Sequence, residues 1–313
     1  MKILFTGGSS FTGYWFIKEL AAAGHEVFAA FTKASADQYE DLRARRVNKI
    51  LDLCRPTWSC AFGDEAFLKL IAQEKDWDLL CHHAAFVKGY KSADFDVLAA
   101  LETNTRNLKS VLAQLADAGC GKVLLTGSVF EQNEGEGERP LRAFSPYGLS
   151  KGLTAEIFRF WCQRLDVKLA RFVIPNPFGP FEEKRFTAYL IDSWLNDKTP
   201  AVNTPDYVRD NIHVSLLAKA YRHFAEEIAA GTTKAQLNPS GYIESQGAFA
   251  RRLSTEMKLR LNKPCALTLA QQIAFDEPLT RANFDQPDIA ALGFDETAAW
   301  DQMAEFYLQN RPK

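Results

Sequence analysis

Met1 to Leu20 reads MKILFTGGSSFTGYWFIKEL, and this stretch decides the fold. Ile3, Leu4 and Phe5 form a short apolar run of the kind a buried strand carries. The run breaks at Thr6-Gly7-Gly8-Ser9-Ser10-Phe11-Thr12-Gly13, after which Phe16, Ile17 and Leu20 recur at helical spacing. A strand, a small-residue turn and a helix are what a phosphate-binding βα unit needs. The turn lets backbone approach a pyrophosphate, and the helix N-terminus offers unpaired N–H groups and a partial positive charge. Gly7, Ser9, Ser10, Phe11, Thr12 and Gly13 are the predicted contacts.

At 313 residues the chain has room for one large domain or two interleaved ones, and an apolar fraction of 47% supplies a core. A net charge of −2 gives no reason to expect nucleic acid or an anionic membrane as partner. The N-terminus lacks the apolar length of a signal peptide, and no run approaches a membrane span. The six cysteines are scattered without a Cys-x-x-Cys pair, which predicts buried thiols and a reducing, cytoplasmic location.

Outward from the first turn, Glu26 to Phe31 reads as a second strand whose tip, Phe31-Thr32-Lys33, carries no carboxylate. An acid there would accept from the ribose of NAD, whereas Lys33 suits the extra phosphate of NADP, so the reading leans to NADP over NAD. A third strand is expected within Val47–Leu53, ending on Asp52-Leu53, where the Asp can accept from the adenine amino group. Asp78-Leu79-Leu80-Cys81-His82-His83-Ala84-Ala85 is a fourth strand running into small residues. Adjacent strand histidines point to opposite faces and no third ligand follows at a usual spacing, so metal is not expected. Asp94 to Gly119 reads as one long helix, and Val123 to Leu125 as a fifth strand ending at Thr126-Gly127-Ser128. Gln132 to Arg142 reads as an acidic surface loop. Ser145-Pro146 starts a helix with Tyr147 and Lys151 in its first turns. Leu169 to Ile174 is a sixth strand, followed by the loop Pro175-Asn176-Pro177-Phe178-Gly179-Pro180. Such alternation predicts a doubly wound parallel α/β sheet.

With these motifs in order, the chain resembles the extended short-chain dehydrogenase/reductase family, the NAD(P)-dependent epimerases and dehydratases of nucleotide sugars. The resemblance rests on Thr6–Gly13, Asp52-Leu53, His82–Ala85, Asn104, Thr126–Phe130, Tyr147-x-x-x-Lys151, Asn176–Pro180 and Arg209–Val214. The family turn would read Gly-x-x-Gly-x-x-Gly. Ser10 takes the middle place, small enough for close approach but without glycine's freedom in φ. The resemblance implies a Rossmann-like domain at 1–177 plus about 209–239, and a smaller C-terminal α/β substrate domain at 178–208 plus 240–313. It implies catalysis by Thr126, Tyr147 and Lys151, with Ser128 as the competing hydroxyl. A tyrosine is a poor base near neutral pH, and a lysine four residues on shares its helix face and can lower its pKa. Cofactor contacts are expected also from Thr32, Lys33, Asp52, Leu53, Ala84, Ala85, Tyr147, Lys151 and Pro175, and substrate contacts from Lys88, Asn176, Arg209 and Arg281. An arginine at the position of Arg209 suits a diphosphate, because guanidinium–phosphate geometry is bidentate. A homodimer through the helices at 94–118 and 147–165 is implied by analogy alone.

The reaction is narrowed but not fixed. A 4,6-dehydratase of this kind carries an Asp-Glu pair directly after the catalytic threonine, and Gly127-Ser128 stand there instead. A nucleotide-sugar epimerase and a keto-sugar reductase both fit, and the missing acid beside Thr32-Lys33 favours the reductase. Two other readings stand beside them. One is a reductase of a small non-nucleotide ketone or aldehyde, in which Arg209 would be a structural ion pair. The other is a non-catalytic dinucleotide-binding relative, which would be expected to have lost Tyr147 or Lys151.

Overall fold

A computed structural model describes residues 1–273 and 277–310. Along the chain, β1 (Lys2–Thr6), α1 (Phe11–Ala22), β2 (Glu26–Ala30), α2 (Asp41–Ile50) and β3 (Arg55–Thr57) come first. Then follow α3 (Glu65–Gln73), β4 (Leu79–His82), α4 (Val97–Thr105), α5 (Leu108–Asp117), β5 (Lys122–Ser128), the short β6 (Glu136–Gly137), α6 (Pro146–Arg164) and β7 (Lys168–Ile174). The remainder is β8 (Asn176–Phe178), α7 (Phe186–Leu195), β9 (Ala201–Val202), β10 (Val208–His213), α8 (Val214–Ala230), β11 (Gln236–Leu237), β12 (Tyr242–Ser245), α9 (Gln246–Arg260), β13 (Thr268–Leu269), β14 (Thr280–Ala282) and α10 (Glu296–Gln309).

Seven strands form a parallel sheet in the order β11-β7-β5-β4-β1-β2-β3, the doubly wound order with β1 at the centre. Apolar residues on both faces explain it. Ile3, Phe5 and Leu124 face a core shared with α1 and α8, whereas Leu4, Val123 and Leu125 face a second core shared with α3, α5 and α6. A second sheet runs β12-β10-β14-β6, with β8 also paired to β10. It is backed by a third core from α7, α9 and α10 around Trp194, Phe249, Met257 and Trp300. The sheet strand β10 belongs to this second layer, while α8 and β11 return to the first.

Three expectations change. The stretch ending in Asp52-Leu53 is no strand: Asp41–Ile50 is a helix burying Arg46, Val47 and Ile50, followed by a 3-10 turn over Leu51–Leu53. The third strand is Arg55-Pro56-Thr57, at the sheet edge, where a proline's missing N–H costs nothing. The single long helix after Asp94 is two. It breaks at Arg106-Asn107, where Asn107 has φ +50° and its side chain donates to the Gly63 carbonyl at 2.8 Å. The acidic loop is not all surface, since Glu134 is 6% exposed, and Glu131 just before it is 1% exposed.

Candidate active site

The first turn is built for close approach. Gly7 has φ +85°, and a Cβ there would lie 2.8 Å from the Ala84 nitrogen. A Cβ on Gly13 would lie 2.2 Å from the Gly7 carbonyl oxygen. Ser10 needs no glycine-like backbone: with φ −76° and ψ 167° it is the N-cap of α1. Its hydroxyl accepts from the Gly13 N–H at 3.1 Å and donates to the Gly7 carbonyl at 2.9 Å, so it is spent on the turn. Gly13 and Tyr14 find partners on Ser10, which leaves the Phe11 and Thr12 N–H groups without a partner within the helix. Two free amides beside two obligate glycines at the carboxyl edge of β1 form a cradle that fits a dinucleotide pyrophosphate.

His83 ties this turn to the fifth strand. Its Nε2 is 3.0 Å from both the Ser10 and Thr12 hydroxyls, and its Nδ1 is 3.0 Å from the Thr126 hydroxyl. Burial, together with the Lys151 charge, lowers its pKa to about 3, so the ring is neutral. Ser10 gives its only proton to Gly7 and offers His83 a lone pair. We therefore assign the proton to Nε2, with Nδ1 accepting from Thr126. The ring packs against Phe5 and Phe16, on the α1 face of the sheet. His82 sits on the opposite face between Phe62 and Phe158, its Nδ1 3.0 Å from the Thr6 hydroxyl. The sequence argues against the two histidines as metal ligands and places His82–Ala85 in the strand that passes the cofactor; their alternation across the strand is the signal for these separate roles.

Tyr147 and Lys151 come off the first turns of α6, which Ser145 caps by accepting from the Gly148 N–H at 3.3 Å. Lys151 is buried, and its Nζ donates to the Thr126 carbonyl at 2.6 Å. Burial lowers its pKa, Glu131 raises it, and Arg171 lowers it. Tyr147 stands between the rings of Tyr90 and Phe95, at centroid distances of 5.6 and 5.8 Å. Burial and, to a lesser extent, the Glu131 charge push its phenol up to about 12 against the opposing pull of Arg185. Lys151 is directed to the Thr126 carbonyl, and its neighbouring opposite charge is Glu131. Thr126 contributes its carbonyl on this side, while its hydroxyl faces His83 on the α1 side. Ser128, at the strand end, accepts from the Phe130 N–H at 3.2 Å and stays half-buried.

The other sequence candidates divide. Ala84 and Ala85 follow β4 directly beside the turn, and the Thr6 hydroxyl accepts from the Ala84 N–H at 3.0 Å. Pro175 links β7 to β8. Thr32 and Lys33 are exposed at the end of β2, beside Phe31, which stacks on Trp58 at 4.8 Å. Asp52 and Leu53 lie exposed in the turn before β3 and do not reach a strand tip, a place taken by Thr57-Trp58. Lys88 is exposed in the turn after Ala85. Asn176 donates to the Asp210 carbonyl at 3.1 Å and so joins β8 to β10. Arg209 stacks over Tyr207 and Phe144 and pairs with Glu277 at 3.0 Å. Arg281 is no phosphate ligand. It is fully buried, and its guanidinium donates to the carbonyls of Val129, Glu131, Glu134 and Arg142, closing the loop before α6.

Residues 3–238 match the model of the NAD dependent epimerase/dehydratase family. No protein of curated function matches the sequence. Among solved structures, UDP-glucose 4-epimerase from Thermotoga maritima, with UDP-glucose, is similar over 99% of both chains, with 16% identity and a TM-score of 0.72. UDP-glucuronic acid 4-epimerase from Bacillus cereus, in complex with UDP-glucuronic acid and NAD, shares 15% identity over 99% of this chain and 100% of its own, with a TM-score of 0.70. DesIV, a dTDP-glucose 4,6-dehydratase from Streptomyces venezuelae with NAD bound, shares 20% over 99% and 98%, with a TM-score of 0.69.

Proposed function

Because the chain belongs to the NAD dependent epimerase/dehydratase family, we propose that it oxidises or reduces a carbon of a nucleotide-activated sugar, as an epimerase or a keto-sugar reductase. The observation that carries this is the Tyr147–Lys151 pair, set by α6 at the carboxyl end of β5, across the sheet edge from the turn at Gly7.

The Phe11 and Thr12 amides would hold the pyrophosphate of a dinucleotide, with Gly7 and Gly13 giving it room. Bound there, the nicotinamide would supply the site that takes up or gives back hydride. Tyr147 would take the proton of a substrate hydroxyl, or return one to a carbonyl oxygen. Its phenol is pushed up by burial, so proton transfer in the oxidative direction needs added positive charge nearby. Lys151 brings one such charge, held in place by the Thr126 carbonyl. The hydroxyls of Thr126 and Ser128 are the two candidates to hold the substrate oxygen. To do so, Thr126 would turn its proton from His83 to the substrate oxygen, whose own proton passes to Tyr147.

Lys33, with no acid at the end of β2, favours NADP. The Gly127-Ser128 sequence after Thr126 lacks the acid pair of a 4,6-dehydratase. Arg209 would meet the diphosphate by exchanging Glu277 for it, and Asn176 and Lys88 would border the same space. The Arg209–Glu277 pair is also what the alternative reading expects, a reductase of a small ketone or aldehyde without a nucleotide. Thermal unfolding with UDP-, GDP-, CDP- and dTDP-sugars separates them: stabilisation by one nucleotide class is expected, and no stabilisation by any would exclude the nucleotide sugar. The dinucleotide that co-purifies, identified by mass, decides NADP against NAD.

The helices α4 and α6, which pack together, leave Leu98 and Phe160 exposed at 77% and 52%. We propose that this face joins two copies in a homodimer.

A further inference from the structure

A cluster of buried charge lies behind the Tyr147–Lys151 pair. Strand β4 ends opposite Leu125, so the backbone groups that β5 turns to that edge beyond this point have no strand partner. The Val129 N–H reaches β7, so the alternate residues Thr126 and Ser128 turn their peptide groups the other way, to the open edge. Two side chains fill the gap. Lys151 takes the Thr126 carbonyl at 2.6 Å, and the Glu131 carboxylate takes the Ser128 N–H at 2.7 Å. They meet neighbouring groups of one strand edge and are therefore neighbours themselves.

Glu131 is held from behind by Arg171 of β7, whose guanidinium spans Glu131 and Glu134. Gln236 and Asn238 donate to Glu134 at 2.9 and 3.2 Å. Gly127 makes room, since a Cβ there would lie 3.0 Å from Arg171 and 3.1 Å from Glu131. Burial favours the neutral acid at Glu131, but both its oxygens face donors, Ser128 N–H and Arg171, so it is a carboxylate. Arg281, also buried, bonds the loop carbonyls and acts on Glu134, so Glu131 is the carboxylate of the cluster that acts on Lys151.

We infer that Glu131 is a positioning residue for the Tyr147–Lys151 pair: its buried carboxylate, fixed by Arg171 and the Ser128 N–H, is the counter-charge that keeps Lys151 protonated. Among the described residues, the neutral His82 and His83 rings also lie near Lys151. Glu131 and Arg171 act on Lys151, and Glu131, Arg185 and Tyr90 act on Tyr147. Glu131 thus supports the lysine at the cost of opposing ionisation of the tyrosine. The inference rests on the proposed roles of Tyr147 and Lys151, but its test needs no turnover.

The full chain, labelled with carbon-13 in lysine, is titrated by NMR, with the Lys151 signal identified by its loss in Lys151→Arg. In Glu131→Gln the Lys151 titration should fall by about one pH unit or more, the effect of losing a close opposite charge. In Glu134→Gln, where the charge lost lies behind Arg171, the fall should be smaller. If Glu131→Gln does not fold, Glu131→Asp, which withdraws the charge by one methylene, should give an intermediate fall. An unchanged Lys151 titration in the variant that folds, or an equal fall in Glu134→Gln, overturns the inference. Full turnover in Tyr147→Phe would instead defeat the proposed function and leave the titration result standing.

Discussion

Ser10 shows how one side chain can stand in for a glycine. The position tolerates it because the chain there is extended, and the hydroxyl does the work of a helix cap that glycine would leave undone. Glu182 is a second residue whose setting has a measurable consequence. It lies after β8, where its carboxyl accepts from the Tyr307 hydroxyl at 3.0 Å and from the Thr187 hydroxyl, joining α7 to α10. Burial raises its pKa from 4.5 to about 7, more than these bonds lower it. A carboxyl raised in the folded state binds its proton more tightly folded than unfolded. The stability it contributes is therefore present at acid pH and lost as pH rises between 4.5 and about 7. Glu182→Gln should flatten that fall and gain on the order of 2 kcal/mol at about pH 8, with little change near pH 4. Urea unfolding at both pH values checks it; an equal effect at the two would contradict it.

At the scale of elements, the break between α4 and α5 is set from outside the helices. Gly63 has φ +72°, and a Cβ there would lie 1.9 Å from the Arg106 carbonyl oxygen. Gly63→Ala should cost about 2 kcal/mol or more in urea unfolding, since both backbone conformation and contact are lost. A loss below half that would mean the break does not depend on this contact. No local pattern announced this, because Leu98, Leu101, Leu108 and Val111 keep helical spacing across the break. The same limit explains the third strand. Val47 and Ile50 are apolar and β-branched, but the polar Asn48 and Lys49 between them suit a half-exposed helix, and the true strand is three residues with a proline. The turn at Gly7, the strands β1, β2, β4, β5 and β7, and the start of α6 were legible because each is marked by apolar runs, glycines or a cap. Glu131, Glu134 and Arg281 were not. Their charge reads as surface, and only the strand-edge groups and loop carbonyls that they satisfy, distant in sequence, bury them.

At the scale of the whole molecule, the proposed site lies where the first sheet's carboxyl edge meets the second sheet. Lys151 and Tyr147 arrive from α6, the turn from β1, and Arg209 from β10. The α4–α6 face is the remaining large-scale feature. Phe160→Glu together with Leu98→Glu should shift the protein from dimer to monomer by sedimentation, with stability of the single chain little changed. A wild-type monomer would remove the proposed interface. The central claim, that Tyr147 moves the proton while a bound dinucleotide exchanges hydride with a nucleotide sugar, is tested most directly by one measurement. Protein loaded with oxidised dinucleotide is mixed with the nucleotide sugar that stabilises it, and reduced-nicotinamide absorbance is followed in wild type and Tyr147→Phe. Appearance of the reduced cofactor in wild type and its absence in Tyr147→Phe, with dinucleotide binding retained, is the predicted result. Equal reduction in both proteins would contradict the account.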